Sequence, residues 1–441
     1  MRLIASETGL AKIRQAREES GRAIDDEYWS LAASRIVEPE KDWQPGVTWF
    51  APGCSPTTWQ RFLRGKDLIN APAFKAFCQV LGLFWRDVAD LRDNESVSQR
   101  SIDWDAAPDT SVFYGRTQQL STLEQWILSD RCRVVAILGM GGVGKTSLAV
   151  RLGRQIEEHF EFVVWRSLNA APRLDRLLDD LLGFLDRKFS LDEEQTTSDR
   201  VSKLLEILRS RRCLICLDGL EALLQPHEFA GKYRQEYKNY SRFFRQIGEA
   251  NHRSCFFLTS TEPSVELVML DSPTSPVRSL RLEGLSLAGS QRILEEYDLQ
   301  DKKEWPKLIS RYEGNPFALK LVAPAIEKWF AGSVAELLKQ NTFFVGRIKD
   351  ILDVHFDRLS ELEIQILQYL ANTGDRVSLE TLHQKLASGV RKSHLMMGLE
   401  SLEWRSLVVS TNHQSAPQFS LQPTVRKYVR DRWGEKMEVA V

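Results

Sequence analysis

Apolar residues recur along this chain in two rhythms. From residue 1 to about 95 they fall three and four apart, which places Ile13, Phe62, Phe77 and Leu81 on the buried faces of helices. A Pro-, Gly- and Trp-rich stretch, Glu38 to Pro56, interrupts the pattern. Between residues 112 and 285 the rhythm changes to short, almost wholly apolar runs at Val134–Leu138, Phe162–Leu168, Cys213–Leu217, Cys255–Ser260 and Arg278–Leu282. Such runs, alternating with helical stretches, predict a parallel, doubly wound sheet with both faces covered. Residues 286–342 read as helical. Beyond Phe343 the pattern predicts helices near Arg358–Leu370, Leu379–Lys385 and Lys392–Leu402. A hairpin, Leu407–Ser410 with Gln418–Leu421, follows around the turn-rich segment from Thr411 to Pro417.

These changes of rhythm divide the chain into a small all-α domain (1–95), a polar linker (96–111) ending in Ala-Ala-Pro-Asp-Thr, an α/β core (112–285), a helical segment (286–342), a helix-and-hairpin domain (343–435) and a short tail (436–441). A length of 441 residues agrees with about three cores at ~150 residues each.

Composition narrows the class. With 43% hydrophobic and 27% charged residues the chain reads as an ordinary globular protein, and a net charge of −1 gives no global pull toward nucleic acid or anionic lipid. No apolar run reaches the ~18 residues of a membrane helix, and the N-terminus has no signal-peptide core, so a cytoplasmic protein without membrane contact is expected. Cys213 and Cys216 have metal-like spacing but lie inside a strand pattern without a second Cys or His pair, and read as small buried hydrophobes.

The candidate chemistry lies at the end of the first apolar run. Val134–Leu138 leads into Gly139-Met-Gly-Gly-Val-Gly-Lys-Thr146, the pattern G-x-x-x-x-G-K-[ST] between a strand and a helix. Glycines let backbone N–H groups approach phosphate oxygens without a Cβ in the way, and the following helix presents its positive N-terminus to the same anion. Gly139, Met140, Gly141, Gly142, Val143, Gly144, Lys145, Thr146 and Ser147 are the expected nucleotide cradle. Lys145 would reach the β- and γ-phosphates, and the Thr146 hydroxyl would hold Mg²⁺. The apolar run at 213–217 ends in Asp218, placed to complete the Mg²⁺ shell as a Walker B acid.

With these motifs in order, roughly residues 112–441 resemble the NB-ARC branch of the STAND class of signal-transduction P-loop ATPases. Phe113-Tyr-Gly-Arg116 is similar to the motif lining the family's adenine pocket, which implies that role for Phe113 and Arg116. Phe160–Leu168 is similar to the family's second strand, and Phe257–Pro263 to its sensor strand. Tyr312–Lys320 resembles the Gly-x-Pro motif, whose proline, here Pro316, packs on the base. Leu421–Tyr428 resembles the winged-helix motif that presents a histidine to the ADP phosphates; Gln422 stands in the histidine's place. Two further departures concern catalysis. Gly219 occupies the position of the family's second Walker B acid, leaving Glu221 as the nearest carboxylate, and Thr261 replaces the sensor arginine. The expected catalytic set is therefore Lys145, Asp218 and Glu221, with slow turnover if any. An arginine that contacts the γ-phosphate is worth ~10³–10⁵ in rate.

At the N-terminal end, Ser55–Lys66 resembles the recognition helix of phage-repressor-type helix-turn-helix domains, with a Ser-Pro start and Gly65 as C-cap. Thr57, Thr58, Gln60, Arg61 and Arg64 are expected to point outward as candidate DNA contacts. Against a broad nucleic-acid footprint, residues 1–95 hold 13 basic and 14 acidic groups.

Taken together the sequence implies an ATP/ADP-dependent STAND-type switch, in its most concrete form a nucleotide-gated DNA-binding regulator. It would self-associate when ATP-bound and answer to an unidentified protein partner. The alternatives are an actively cycling ATPase that remodels a partner, resting on Glu221, and an ADP-locked interaction adaptor, favoured by Gly219, Thr261 and Gln422 together. Relatives continue into repeat sensors; this sequence stops eight residues after Trp433, so its trigger is expected to act through the N-terminal domain, a partner or the nucleotide.

Overall fold

The computed structural model describes residues 2–39, 41, 43–46, 50–89, 100–186, 195–340, 346–374, 376–386, 390–413 and 416–433, which fall into two compact units, 1–99 and 100–441. The expected tail (436–441), the first part of the linker (96–99) and the hairpin tip (414–415) lie outside the described residues.

The first unit pairs a two-residue strand, β1 (Arg2–Leu3), with β2 (Ile69–Asn70) and packs four helices beside them. These are α1 (Glu7–Glu19), α2 (Tyr28–Val37), α3 (Pro56–Arg64) and α4 (Ala71–Val80). Its core is aromatic: Trp29 stacks on Trp59 at 4.8 Å, and Trp59 contacts Phe62 and Phe77. Ile13, Phe62 and Phe77 are buried as their spacing predicts, while Leu81 is half-buried. Helix α3 starts where Ser55 Oγ accepts the Thr58 N–H at 3.3 Å and stops at Gly65 in the left-handed region, φ 60°.

The second unit is built on a six-stranded, all-parallel sheet of order β3-β5-β6-β7-β4-β8. Its elements are β3 (Ser101–Asp103), α5 (Thr117–Glu124), β4 (Val134–Leu138), α6 (Lys145–Ile156), β5 (Phe162–Ser167), α7 (Leu174–Leu185), α8 (Thr197–Ser210), β6 (Cys213–Asp218), α9 (Asn239–Glu249), β7 (Cys255–Ser260), α10 (Val265–Leu270) and β8 (Val277–Arg281). Five strands stand where the apolar runs predict them. The sixth, β3, falls inside the expected linker: three residues pair in parallel with Phe162–Val164. Trp104 anchors that edge, its Nε1 donating to Glu157 at 2.9 Å.

Strands buried on both faces explain the unbroken apolar runs. Cys213 and Cys216, three apart on β6, belong to hydrophobic clusters on opposite faces of the sheet. All six cysteines are buried and free. In α7 the buried leucines at 174, 177, 178, 181, 182 and 185 repeat at helical spacing against the sheet.

A helical layer follows: α11 (Leu287–Leu294), α12 (Trp305–Arg311), α13 (Pro316–Trp329), α14 (Val334–Lys339) and α15 (Gly346–Phe356). The chain closes with α16 (Glu361–Thr373), β9 (Val377–Ser378), α17 (Leu379–Leu386), α18 (Lys392–Trp404), β10 (Val409–His413), β11 (Ala416–Ser420) and α19 (Pro423–Trp433). Its antiparallel sheet has order β10-β11-β9. One hydrophobic cluster runs from Ile293 through Leu352 to Val429, so the helical layer and the C-terminal segment share a core. The result is an α/β P-loop NTPase fold with helical additions. Among the described residues no helix is long and apolar enough to cross a membrane.

Candidate functional site

Sheet register assembles the site. Asp218 pairs with Ser167 on one side and Thr259 on the other, and Leu138 pairs with Ser260, so the glycine loop and both polar strand ends meet at the carboxyl edge of the sheet. In open α/β sheets ligands bind in the crevice at that edge.

The loop turns on glycine geometry. Gly144, with φ 98°, is the left-handed residue from which α6 starts. Lys145 is 8% exposed, and its Nζ donates to the carbonyls of Gly139 at 2.8 Å and Met140 at 3.1 Å. Burial lowers its pKa from the ordinary amine value, opposed by the nearby charges of Glu221 and Asp218. The Thr146 hydroxyl donates to Asp218 Oδ1 at 2.7 Å, and Thr259 donates to the same oxygen at 2.5 Å. A hydroxyl and a carboxylate are thus held together beside a helix N-terminus, the donor set a hard divalent cation takes. Ser147 follows on α6, half-buried.

Gly219 shows why no second acid stands after Asp218. Its φ is 87°, and a Cβ there would lie 2.2 Å from Asn169 Oδ1. Glu221 sits on the next 3₁₀ turn, Leu220–Leu223, where its Oε2 accepts the Thr261 N–H at 3.3 Å. Thr261, where a sensor arginine was expected, thus supplies a backbone amide to Glu221, whose charge acts on Lys145.

The residues expected around the base lie nearby. Arg116, itself at φ 68°, is 8% exposed and donates to Val143 O at 2.9 Å and Gly284 O at 3.2 Å. Burial brings its pKa down to about 10. The guanidinium ties the phosphate loop to the strand-to-helix turn after β8. Phe113 packs against the cluster that contains Val143 and Leu148. Pro316 opens α13, and its ring lies 3.8 Å from where a Cβ on Gly144 would be. A cavity of about 760 Å³, a size suited to a small-molecule ligand, is lined by Met140, Val143, Gly284, Glu313, Asn315 and Gln422 among others. Lys145, Thr146 and Asp218 are not among its walls, so the cavity adjoins the phosphate end without containing it.

Two further residues belong to the site: His355, which no motif covers, and Glu313, which lies inside the Tyr312–Lys320 motif. His355, near the end of α15, is 6% exposed, and its Nε2 accepts the Gly141 N–H at 2.9 Å. Burial, together with Lys145, Arg358 and Arg405, pushes its pKa down to about 3, so the ring is neutral. A Cβ on Gly141 would meet Ile351 at 2.6 Å and His355 at 2.8 Å, so α15 lies directly on the loop. Glu313, whose Oε1 accepts the Thr424 N–H at 3.1 Å, has its pKa raised by burial to about 7.

In the first unit Thr57, Gln60, Arg61 and Arg64 are exposed on α3. Thr58, expected to face outward with them, is half-buried instead, its Oγ1 lying 3.0 Å from Ser55 Oγ in the helix cap. Arg61 pairs with Asp67 at 3.2 Å.

Residues 116–221 match the NB-ARC domain family. The chain is 38% identical, over 99% of its length, to an uncharacterized WD repeat-containing protein of Nostoc sp., and spans 36% of that protein. It is 32% identical over 104 residues to the disease resistance protein RGA5 of Oryza sativa subsp. japonica, covering 22% of this chain and 9% of that one. Among solved structures, the Walker-type ATPase of Pyrococcus abyssi superposes with a TM-score of 0.51 at 16% identity, covering 74% of this chain and 99% of the other. Sequence match and loop geometry agree on one point: residues 116–221 match the NB-ARC domain, and they lie in a P-loop NTPase fold.

Proposed function

We propose that this chain is a nucleotide-dependent switch in which ADP and ATP stabilise different dockings of the C-terminal segment. The cradle Gly139–Ser147 takes the phosphates, Thr146 and Asp218 hold Mg²⁺, and the base lies toward Arg116 and Pro316, with Gln422 facing the nucleotide from the adjoining cavity. The observation that carries this reading is the hydrogen bond from Gly141 N–H to His355. One residue of α15 engages a phosphate-loop amide, so occupancy of the loop and docking of the C-terminal segment act on the same atoms. A γ-phosphate then biases a bistable interface, and release of the segment permits self-association. Binding of fluorescent mant-ADP to wild type and to Lys145→Ala tests the reading. Loss of affinity by ten- to a hundredfold is expected, and equal affinity would remove it.

In its more specific form the switch governs DNA binding by the first unit. Support comes from the exposed row Thr57, Gln60, Arg61 and Arg64 on a capped helix. Mobility shifts on random duplex DNA should weaken with Arg61→Ala and Arg64→Ala; shifts that are absent, or indifferent to both changes, would discard this form.

A second reading, a slowly cycling ATPase, is favoured by the placement of Glu221 within electrostatic reach of Lys145. Steady-state hydrolysis no greater than that of Lys145→Ala would eliminate it.

A further inference from the structure

The C-terminal segment meets the α/β core at a second place besides the glycine loop. Glu262, two residues past β7, is 1% exposed. Its Oε1 accepts from Nη2 of Arg358, and its Oε2 accepts from Nε of Arg405 at 2.5 Å. Arg405 also donates to both oxygens of Glu363, at 3.1 and 3.0 Å, and to Glu228 O at 2.9 Å. Ser401 Oγ donates to Glu363 at 2.7 Å and accepts the Ala230 N–H at 2.6 Å. Two carboxylates therefore face two guanidiniums inside the protein. Ion groups of this kind add little net stability, yet removing one member leaves a bare buried charge. Such a group is either whole or costly to keep.

Its position relates it to the nucleotide site. Glu262 directly follows Thr261, whose N–H holds Glu221. Arg358 Nη2 also donates to Leu224 O at 3.2 Å, one residue past the 3₁₀ turn that carries Glu221. One guanidinium thus bridges the two chain segments between which Glu221 is held. Arg358 itself comes three residues after His355, and its N–H donates to His355 O at 3.3 Å.

We infer that Glu262 and Arg358 are positioning residues that make docking of the C-terminal segment and placement of Glu221 a single event. With the ion group formed, segments 220–224 and 260–262 are fastened to each other and Glu221 stays on the Thr261 amide. With it broken, both segments loosen together and the C-terminal segment leaves the loop. The consequence for nucleotide retention rests on the switch reading above; the mechanical link does not.

The test uses the whole chain with two variants, Glu262→Gln and Arg358→Gln. The second is the milder, because it removes a cation at the edge of the group and leaves Arg405 paired. Hydrogen exchange is expected to lose protection in α16 and α18 while β4 and β6 keep theirs. Release of mant-ADP is expected to speed up tenfold or more in each variant, and the double variant should release no faster than the faster single one. Arg358→Lys, which keeps the charge on a shorter side chain, should fall between. Protection lost equally across the sheet, or unchanged exchange and release in both variants, would overturn the inference. Should wild type fail to hold mant-ADP, the switch reading falls, and the exchange measurement alone decides the link.

Discussion

His355 Nε2 accepts the Gly141 N–H at 2.9 Å, so a side chain of α15 occupies one of the amides of the phosphate loop. The ring must stay neutral to accept, and Lys145, Arg358 and Arg405 around it oppose a further positive charge.

That relationship sets a pH dependence. With a pKa near 3 in the folded protein, against ~6.5 when released, only the released imidazole takes up a proton between those values. Stability from the contact is thus present above pH ~6.5 and declines as pH falls toward 3. Between pH 7.5 and 5.5 wild type should lose about 1.4 kcal/mol more than His355→Asn, one pKa unit below the free value. Urea titrations at both pH values measure this, and parallel losses in the two proteins would contradict it.

Glu313 should behave in the opposite sense. Its carboxyl, raised to about 7 by burial, is protonated more readily in the folded protein, so its stability contribution is full below pH ~4.3 and is lost as pH rises through 7. Glu313→Gln keeps an oxygen for the Thr424 N–H and removes the buried charge. It should be more stable than wild type by about 3.5 kcal/mol at pH 8 and nearly equal to it at pH 4. A difference that does not change with pH would speak against this account.

Restoring the family's second acid should not restore an enzyme. Gly219→Asp forces a side chain into the left-handed region, costing about 1–2 kcal/mol, and drives its Cβ against Asn169. Lower thermal stability with unchanged ATP hydrolysis is expected. A gain in turnover would show that position 219 tolerates the acid.

Thr146→Val removes the hydroxyl that donates to Asp218 while keeping the shape of the side chain. Affinity for mant-ADP should fall in the presence of Mg²⁺ by about tenfold, the worth of a bond of about 1.4 kcal/mol to a charged group, and change little in EDTA. Equal effects with and without Mg²⁺ would place the cation elsewhere.

The glycine loop, Asp218 and the strands around them were legible because each is dictated locally. Phosphate-binding turns need glycine, and a strand buried on both faces must be apolar throughout. Strand β3 was not, since Ser101-Ile-Asp103 is too short and too polar to announce itself and is fixed by pairing with β5. His355 and the Glu262 ion group were hidden for a different reason. Their partners lie 214, 96 and 143 residues away in sequence, and only the docking of the C-terminal segment brings them together. Thr58 reads as outward from helical periodicity alone; its hydroxyl turns back to the cap because Ser55 is within reach.

The distribution of thiols gives this protein an internal clock for its own openings. Cys54 and Cys78 are buried in the first unit, Cys132, Cys213, Cys216 and Cys255 in the α/β core, and residues 286–441 contain none. The C-terminal segment thus offers an alkylating reagent no thiol of its own, and labelling reports opening of the first unit or of the sheet. Labelling kinetics, with no engineered probe, would separate a conformational cycle from the onset of unfolding.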